Sequence, residues 1–379
     1  MEELSSKTQR AWIEVDIANL AHNVKIIRET MPKGCELMAV VKAEAYGHGA
    51  YAVAAYLNKM GVNAFAVATI EEGISLRKQG IVGEILILGY TDVRRGSDLR
   101  TYDLTQTLID LSYARELESR GIKVKAHLKV DTGMHRLGID WKDISGGREI
   151  FAMKNLKIRG IFTHLCCSDS REPSDIAFTR GQIDKFYGFI QKLKESGIVI
   201  PKLHIQSSYG LFNYPDLACD YVRAGIALYG VLSSPGDETV RKPDLRPVLS
   251  LKSRVALVRK VEKGEFFGYG RRFVAGRDTR IAILPVGYRD GFPRNLSGKG
   301  AVAEISGQYV HVVGSICMDQ LALDVTEAEG VSPGDTATLI GNGGGEAVSA
   351  PLVAGRFGSI SNELLCRMGA RLPIVIKIH

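Results

Sequence analysis

A lysine at the end of an apolar run is the first residue whose position suggests chemistry. Lys42 closes the run at 37–42, which predicts a strand buried on both faces. Tyr46 follows it, and a Gly-His-Gly turn at 47–49 precedes an amphipathic helix predicted over 50–59. Because the free N–H groups of a helix start can bind phosphate, these residues fit a pyridoxal phosphate Schiff base on Lys42. They also fit a solvated lysine at a strand edge, which is the commoner arrangement.

Polar side chains follow several other apolar runs, at the strand ends where barrel enzymes hold their chemistry. Each also has an ordinary explanation. Lys129 and Asp131 fit an ion pair at a strand end, and Ser207 fits a helix cap. His164 fits a hydrogen-bonded core histidine. Arg223 needs an acceptor if it is buried, and a pyridine nitrogen would be one. Other residues at these ends include Arg136, Ser208 and Gly225.

The elements that carry these residues alternate regularly. Between most of the β-rich runs lie helical patterns such as 70–79, 111–120 and 176–195. This alternation predicts a TIM-type (β/α)8 barrel. A doubly wound open sheet is the alternative, although no G-x-G-x-x-G turn follows the first strand. The predicted barrel strands are 37–42, 64–69, 85–89, 104–109, 124–130, 158–164, 203–207 and 221–224.

A connector rich in Ser, Pro and Gly begins near residue 233 and separates this half from a different pattern. The fold class is therefore α/β plus all-β: an N-terminal (β/α)8 barrel over residues 1–240 and a C-terminal β-strand domain over 241–379. A short strand is predicted at 12–15. Roughly the first 12 residues are assigned to the barrel half, with packing against the β domain as the alternative. The strands predicted in the second half are 248–261, 280–286, 301–305, 310–313, 321–325, 336–340 and 374–378, with a helical interruption at 351–368.

Composition argues against several classes of function. The 379 residues carry a formal charge of +7, but the basic residues are scattered, so no nucleic-acid partner is expected. The six cysteines show no metal-ligand or disulfide-framework spacing, which predicts no metal site and reduced thiols in the cytoplasm. The polar start predicts no signal peptide, and no apolar run reaches the roughly 18 residues of a membrane span. No membrane contact by this chain itself is expected.

Four segments together carry a family resemblance. Residues 41–49, 129–136, 222–226 and 316–320 each resemble a motif of the alanine racemases, pyridoxal phosphate enzymes with a barrel and a β domain. The resemblance extends over essentially the whole chain. Glu44 is a departure, because Asn or Asp is more usual at that position.

The resemblance implies roles around the cofactor, pyridoxal 5'-phosphate. Lys42 would hold it covalently, and Arg223 would face its pyridine nitrogen. Because arginine does not give up its proton, that nitrogen would stay unprotonated and the cofactor would be a weaker electron sink. This limits side reactions such as transamination. The other cofactor-binding residues implied are Tyr46, His164, Ser207, Gly225 and Ile226.

Racemisation needs a base on each face of the substrate, and the resemblance assigns these roles to Lys42 and Tyr269. A tyrosine with an unperturbed pKa of about 10 is a poor base at neutral pH. Arg136 and His164 would therefore stabilise its phenolate. Lys129 matches a family position that is often carbamylated, and the resulting anion would orient Arg136.

The resemblance also implies a homodimer with shared active sites. Tyr269, Tyr288, Met318 and Asp319 would reach the active site of the neighbouring subunit. Met318 and Asp319 would be catalytic in the broad sense of lining the substrate entrance and, with Tyr288, positioning the carboxylate. Arg136 completes the implied substrate contacts on the barrel side.

One further departure bears on the substrate. Asn362 stands in a stretch where the family usually has a tyrosine that crowds the substrate side chain. A smaller residue with a donor and an acceptor would accommodate a hydroxyl, so serine is expected as a substrate beside alanine. Here the chain resembles the serine/alanine racemases of vancomycin-resistance systems, whose catalytic domain follows a membrane domain. The sequence is then expected to be the cytoplasmic domain of such a membrane-anchored protein.

The resulting hypothesis is a racemase that supplies D-serine and D-alanine for peptidoglycan precursors. A dedicated alanine racemase of cell-wall synthesis is the alternative. An amino-acid decarboxylase of the same fold is more distant, because decarboxylation favours an acidic partner for the pyridine nitrogen in place of Arg223. A non-catalytic cofactor carrier is equally distant, since such proteins are lone barrels without a domain bearing Tyr269.

Overall fold

The computed structural model of the protein describes residues 8–341 and 345–378. In the first part strands and helices alternate. In chain order the elements are β1 Ala11–Asp16, α1 Ile17–Thr30, β2 Glu36–Val40, α2 Lys42–Gly47, α3 Ala50–Lys59, β3 Ala64–Val67, α4 Ile70–Lys78, β4 Glu84–Ile87, α5 Gly96–Thr101, β5 Thr105–Leu108, α6 Leu111–Ser119, β6 Val124–Asp131, β7 Ile139–Asp140, α7 Ile144–Ala152, β8 Leu156–Phe162, α8 Pro173–Glu195, β9 Lys202–His204, α9 Ser208–Asn213 and β10 Tyr221–Ala224.

Eight of these strands form one parallel sheet in the order β10-β2-β3-β4-β5-β6-β8-β9. Strands such as β3 and β5 are buried along their whole length, as expected when helices cover the outside and side chains fill the inside. The sheet nearly closes, because Asp220 N–H donates to Leu203 O over 2.7 Å and Arg223 N–H donates to Gln206 O over 3.1 Å. The predicted (β/α)8 barrel is confirmed.

The second half is built mainly from antiparallel strands. Its main sheet has the order β12-β15-β18-β17-β16-β19-β11-β1-β20, so the N-terminal strand β1 lies within it. β1 pairs antiparallel with β11 and parallel with β20. The elements are β11 Leu249–Arg254, β12 Leu257–Val261, β13 Phe266–Phe267, β14 Phe273–Val274, β15 Thr279–Leu284, β16 Val302–Ile305, β17 Gln308–Val313, β18 Leu321–Asp324, β19 Thr336–Ile340, α10 Ala350–Gly355, α11 Ser361–Cys366 and β20 Ile374–Lys377.

Two predicted elements are each divided in the structure. The strand expected at 248–261 is divided into β11 and β12, because the chain changes partner there: β11 pairs with β19, and β12 pairs with β15. The helical stretch expected at 351–368 is divided into α10 and α11. Between them Gly358 has a φ of +75°, a left-handed conformation that ends a helix.

One continuous cluster of buried apolar side chains extends from the barrel into the second sheet. The strands of both sheets therefore share a core. Within the described ranges, no helix has the length and apolar character needed to cross a membrane.

Candidate active site

A cavity of about 520 Å³ lies where the barrel strands end. This volume is typical of sites for small organic ligands. Its walls come from the loops after several barrel strands and from α11, so the fold brings together residues that are far apart in the chain. The predicted site residues that line it are Lys42, Tyr46, Lys129, Arg136, His164, Ser207, Arg223, Gly225, Ile226 and Asn362.

The other predicted site residues do not line this cavity in the described chain. Tyr269 is 74% exposed and Met318 is 50% exposed. Tyr288 is also exposed, at a different groove of the second domain. Asp319 Oδ1 accepts a hydrogen bond from Arg371 Nη1 over 2.8 Å. A single chain therefore supplies the barrel side of the predicted site without these four residues.

Lys42 begins α2, whose next four residues form an unusual left-handed turn instead of a regular α-helix. Residues 43–46 all have φ values of +52° to +54°, in the left-handed region that costs an L-residue roughly 1–2 kcal/mol. The Glu72 carboxylate holds the start of this turn by accepting the Ala43 N–H over 2.7 Å. Gly47 continues it, and a Cβ there would lie 2.2 Å from Leu365 O. The strained turn thus fixes the backbone directly after Lys42.

At the helix start near this turn, where the sequence suggests a phosphate site, one backbone N–H is bonded to a carboxylate. Ala50 N–H, at the start of α3, donates to Glu44 Oε2 over 3.1 Å, so a carboxylate occupies that position. The left-handed conformation also explains why Asn or Asp would be usual at position 44, since both tolerate it better than Glu. In this chain Glu44 caps α3, and this hydrogen bond compensates for the cost of its left-handed conformation.

The cationic residues of the cavity perturb one another. Burial and the positive charges of Arg136 and Arg223 lower the pKa of Lys129 to about 8. Burial and the same two arginines lower the pKa of His164 to about 3, so its imidazole is neutral at neutral pH. Asp131 accepts the N–H groups of Gly133 and His135, and within the described chain it forms no ion pair with Lys129. The cavity is therefore suited to an anionic ligand.

The loops after β9 and β10 form one wall of the cavity. Ser208 Oγ accepts the Gly225 N–H over 3.1 Å. A Cβ on Gly225 would lie 2.9 Å from Tyr46 Oη, so only glycine leaves this space open. Ser207 is the N-cap residue of α9 but makes no side-chain capping bond, so the helix-cap explanation is wrong for it. Burial raises the pKa of Tyr46, which therefore stays a phenol able to donate.

Arg223 is buried on β10. Its Nη1 donates to His204 Nδ1 over 2.8 Å, and its Nη2 donates to Thr163 O over 2.7 Å. Burial lowers its pKa to about 10, which leaves the guanidinium charged at neutral pH. The acceptors that a buried guanidinium requires thus come largely from the protein.

Asn362 reaches the cavity wall from α11 and meets Ser233 of the connector. Ser233 Oγ donates to Asn362 Oδ1 over 2.8 Å. The Ser361 N–H also donates to Ser233 O over 2.7 Å, so backbone and side chain both fix the helix against the connector. Because Oδ1 is engaged, the Nδ2 amide group of Asn362 is left to donate to another molecule.

Comparison with known proteins identifies the family. The families described as "Alanine racemase, N-terminal domain" and "Alanine racemase, C-terminal domain" match residues 15–233 and 248–376. The chain belongs to the alanine racemase family. It is 51% identical over 98% of its length to an amino-acid racemase of Enterococcus faecalis and 38% identical over 98% to a serine/alanine racemase of Enterococcus gallinarum. It spans about half of each relative, 52% of their lengths.

A solved alanine racemase of Clostridium difficile 630 has the same fold. It superposes with a TM-score of 0.90 at 34% identity, over 98% of this chain and 96% of that one. The alanine racemase family depends on pyridoxal phosphate. The residues of this chain fit that cofactor: the Gly225 position leaves space beside the Tyr46 phenol, the Ser207 hydroxyl makes no capping bond, and the cavity potential favours a phosphate.

Sequence reasoning missed two groups that support the site. Glu72 belongs to a capping box with Thr69, a pattern visible as Thr-x-x-Glu at 69–72. It also holds the backbone after Lys42, which no local pattern shows. His204 lies on β9 and contacts Arg223. Since side chains of a strand alternate between faces, its inward position follows once the strand is located.

Proposed function

We propose that this chain racemises serine and alanine with pyridoxal phosphate, using Lys42 and Tyr269 as the two bases of a homodimer. One observation carries the proposal: Lys42 follows a core strand and lines a cationic cavity. The same cavity contains the space between Gly225 and the Tyr46 phenol, which we call the Gly225–Tyr46 cradle. An amine for the carbonyl carbon and a cradle for the phosphate are the two features that pyridoxal phosphate requires. We also propose that residues 1–240 form the barrel domain and residues 241–379 form the β domain.

The chemistry needs one proton transfer on each face of the substrate Cα. Bound pyridoxal phosphate supplies an electron sink that makes the α-proton acidic. The Lys42 amine removes or returns a proton on one face, and Tyr269 of the partner subunit does so on the other. Tyr269 is 74% exposed and does not line the barrel cavity of its own chain, which supports a role in the partner subunit.

The barrel side provides an environment that helps a tyrosine act as a base. Arg136 is cationic, and a positive charge near a phenol lowers its pKa. His164 is neutral, with its pKa lowered to about 3, so it can exchange a hydrogen bond with the phenol without competing as a cation. Both line the cavity into which Tyr269 of the partner subunit would enter.

Arg223 would determine the electronic character of the cofactor. Within the described chain its guanidinium donates through Nη1 and Nη2, which leaves Nε–H for a pyridine nitrogen. Because the guanidinium keeps its proton, the nitrogen accepts a hydrogen bond without being protonated. The weaker electron sink favours rapid return of the α-proton over transamination.

Lys129 would carry a carbamate. With a pKa of about 8, a substantial fraction of its amine is neutral near neutral pH and can react with carbon dioxide. The ammonium first loses a proton, and the neutral amine then forms an N–C bond with carbon dioxide and releases a second proton, so that a cation becomes an anion. That anion would lie beside Arg136 and orient it, and it would remove the repulsion among the cationic groups of the cavity.

The preference for serine would come from Asn362. Its Nδ2 group can donate to a substrate hydroxyl, while alanine offers no acceptor there. The name of the serine/alanine racemase of Enterococcus gallinarum supports this choice. Tyr288, Met318 and Asp319 of the partner subunit would line the entrance and position the substrate carboxylate. A dedicated alanine racemase is the alternative, and the side chain at 362 separates the two.

The proposal places the chain in the cytoplasm, where it would supply D-serine and D-alanine for peptidoglycan precursors, including those of vancomycin resistance. Such a chain would form the cytoplasmic domain of a longer, membrane-anchored protein. The amino-acid racemase of Enterococcus faecalis, about half of which this chain spans, supports a longer form.

The central test measures racemisation directly. The purified protein with pyridoxal phosphate is incubated with L-serine or L-alanine in D2O, and both enantiomers are quantified by chiral chromatography. We expect D-product carrying deuterium at Cα from both substrates. Release of CO2 with no D-amino acid would indicate a decarboxylase, and retention of the L-enantiomer with all of its α-hydrogen would contradict the proposal.

A further inference from the structure

A chain of hydrogen bonds crosses the interior of the barrel beneath the cavity. Glu84 Oε1 lies 3.0 Å from His127 Nε2, and His127 Nδ1 lies 2.9 Å from His204 Nε2. His204 Nδ1 in turn lies 2.8 Å from Arg223 Nη1. The four side chains come from β4, β6, β9 and β10. They connect a carboxylate at the start of β4 to the guanidinium on the cavity wall.

The guanidinium of Arg223 fixes the donor and the acceptor of every hydrogen bond in this series. Arginine only donates, so His204 Nδ1 must be an acceptor and its proton must be on Nε2. That proton can only be donated to His127 Nδ1, which must then be unprotonated. The remaining proton of His127 is on Nε2 and is donated to Glu84. Both histidines are therefore neutral Nε2–H tautomers, and all donors point from Arg223 to Glu84.

The two ends of this chain carry opposite charges. Arg223 and both imidazoles are buried. Burial would raise the pKa of Glu84, but hydrogen bonds from His127, Tyr221 and Thr105 outweigh it and hold this pKa below its ordinary value. Glu84 Oε2 accepts the Tyr221 hydroxyl over 2.9 Å. The carboxylate is thus ionised, and it is the anionic group to which the buried cation is linked.

We propose that Glu84 is a positioning residue for Arg223, orienting the guanidinium and compensating its charge through His127 and His204. A buried cation needs a counter-ion or hydrogen-bond acceptors. This series of hydrogen bonds gives Arg223 an acceptor in His204 and links it to the carboxylate of Glu84. Glu84 contacts neither the cavity nor a substrate. The inference uses the proposed function only in expecting Arg223 to face the cofactor; the proton positions on the two histidines are independent of it.

Two variants of Glu84 separate charge from hydrogen bonding. Glu84→Gln keeps an acceptor for His127 but removes the charge, whereas Glu84→Leu removes both. Glu149→Gln is the matched control, because Glu149 pairs with Arg115 on the surface. The holoenzymes are labelled with ¹⁵N-histidine, and side-chain spectra report which ring nitrogen of His127 and His204 carries the proton. Single substitutions His127→Gln and His204→Gln assign the signals.

Three results are expected. The parent and Glu149→Gln show neutral Nε2–H tautomers at both histidines. In Glu84→Leu these signals change, and the dissociation constant for pyridoxal phosphate rises at least tenfold. Glu84→Gln retains the tautomers and lowers kcat at least threefold with little change in KM for serine, since Glu84 does not touch substrate.

Several outcomes would overturn the inference. A protonated imidazolium in the parent would contradict the donor direction, whether or not the enzyme is a racemase. Unchanged histidine spectra and cofactor affinity in Glu84→Leu would show that Glu84 does not act on Arg223. If Glu84→Leu fails to fold, full kcat in Glu84→Gln would overturn the positioning role. Absence of racemisation in the parent, with the predicted tautomers present, would instead count against the proposed function.

Discussion

The hydroxyl of Ser233 donates a hydrogen bond to Asn362 Oδ1 over 2.8 Å at the wall of the cavity. Ser233 lies just before the second domain, and Asn362 lies on a short helix near the end of the chain. Their contact fixes which end of the amide faces a ligand, because an amide whose oxygen is engaged presents its NH2 group. Under the proposed function, substrate choice would therefore depend on both Ser233 and Asn362.

Replacing Asn362 by tyrosine is expected to shift specificity toward alanine. The change removes the Nδ2 donor and the space beside it, so the kcat/KM ratio of serine to alanine should fall about tenfold, which corresponds to roughly 1.4 kcal/mol. Ser233→Ala leaves the amide free to rotate and should lower the ratio less. Both ratios are measured with the two substrates side by side. Ratios equal to that of the parent would remove Asn362 as the determinant.

Lys42→Ala is expected to abolish covalent cofactor binding. The parent should be yellow with pyridoxal phosphate, and borohydride should fix the cofactor to Lys42, as detected by peptide mass spectrometry. The variant should acquire neither the colour nor the fixed mass. Lys33→Ala, an exposed lysine elsewhere on the barrel, serves as the control and should behave like the parent. A yellow Lys42→Ala protein would contradict the assignment.

A shared active site predicts that two inactive variants restore activity when mixed. Lys42→Ala and Tyr269→Phe each lose one base and should be inactive as homodimers. In a mixed dimer one of the two sites has both bases, so random exchange of subunits should restore about a quarter of the parent activity. Racemisation is followed after denaturation and refolding together. If both bases came from one chain, the mixture would stay inactive.

Carbamylation of Lys129 is expected to be visible by NMR. Because burial and the arginines lower its pKa to about 8, the neutral amine is available at pH 8. With ¹³C-bicarbonate the parent should show a carbamate signal that is missing in Lys129→Gln. Lys125→Gln is the control, since Lys125 is on the same strand but pairs with Asp103. The absence of a signal in the parent at saturating bicarbonate would leave Lys129 as a free amine.

Acid should destabilise the protein partly through His48. Burial lowers its pKa from 6.5 to about 4. The unfolded state then binds more protons between these values, so this contribution to the free energy of unfolding is complete above pH 6.5 and is lost as pH falls toward 4, by up to about 3 kcal/mol. His48→Gln should flatten the pH dependence of urea unfolding between pH 7 and 4.5. His311→Gln, an exposed site, should not; equal slopes in all three proteins would refute the assignment.

The sequence predicts the barrel well because most of its strands are short apolar runs bounded by polar ends. It does less well where pairing decides the outcome. Nothing local in 248–261 shows that the chain changes partner between β11 and β12. The run at 203–207 ends early as a strand at His204. Glu84 resembles a solvated strand-end carboxylate, and only the folded barrel places it against His127.

Part of the candidate site can likewise be predicted from the sequence, and part depends on contacts between distant residues. Residues at strand ends, such as Lys42 and Arg223, reach one cavity because the barrel geometry requires it. Tyr269 cannot be placed in this way, since its implied partner is a second molecule. The amide orientation of Asn362 depends on Ser233, which is distant in sequence, so the motif alone shows the substitution without its geometry.

The position of β1 determines when the second sheet can be completed as the protein is synthesised. Of the strands in this sheet, β1 is synthesised before all others, yet its neighbours are β11, made after the entire barrel, and β20, made after every other strand of the sheet. All barrel strands lie at or before residue 224, while completion of the sheet requires β20 at 374–377. Ribosome-bound intermediates should therefore present a folded barrel while β1 is still unpaired, a stage at which chaperones would find exposed strand edges.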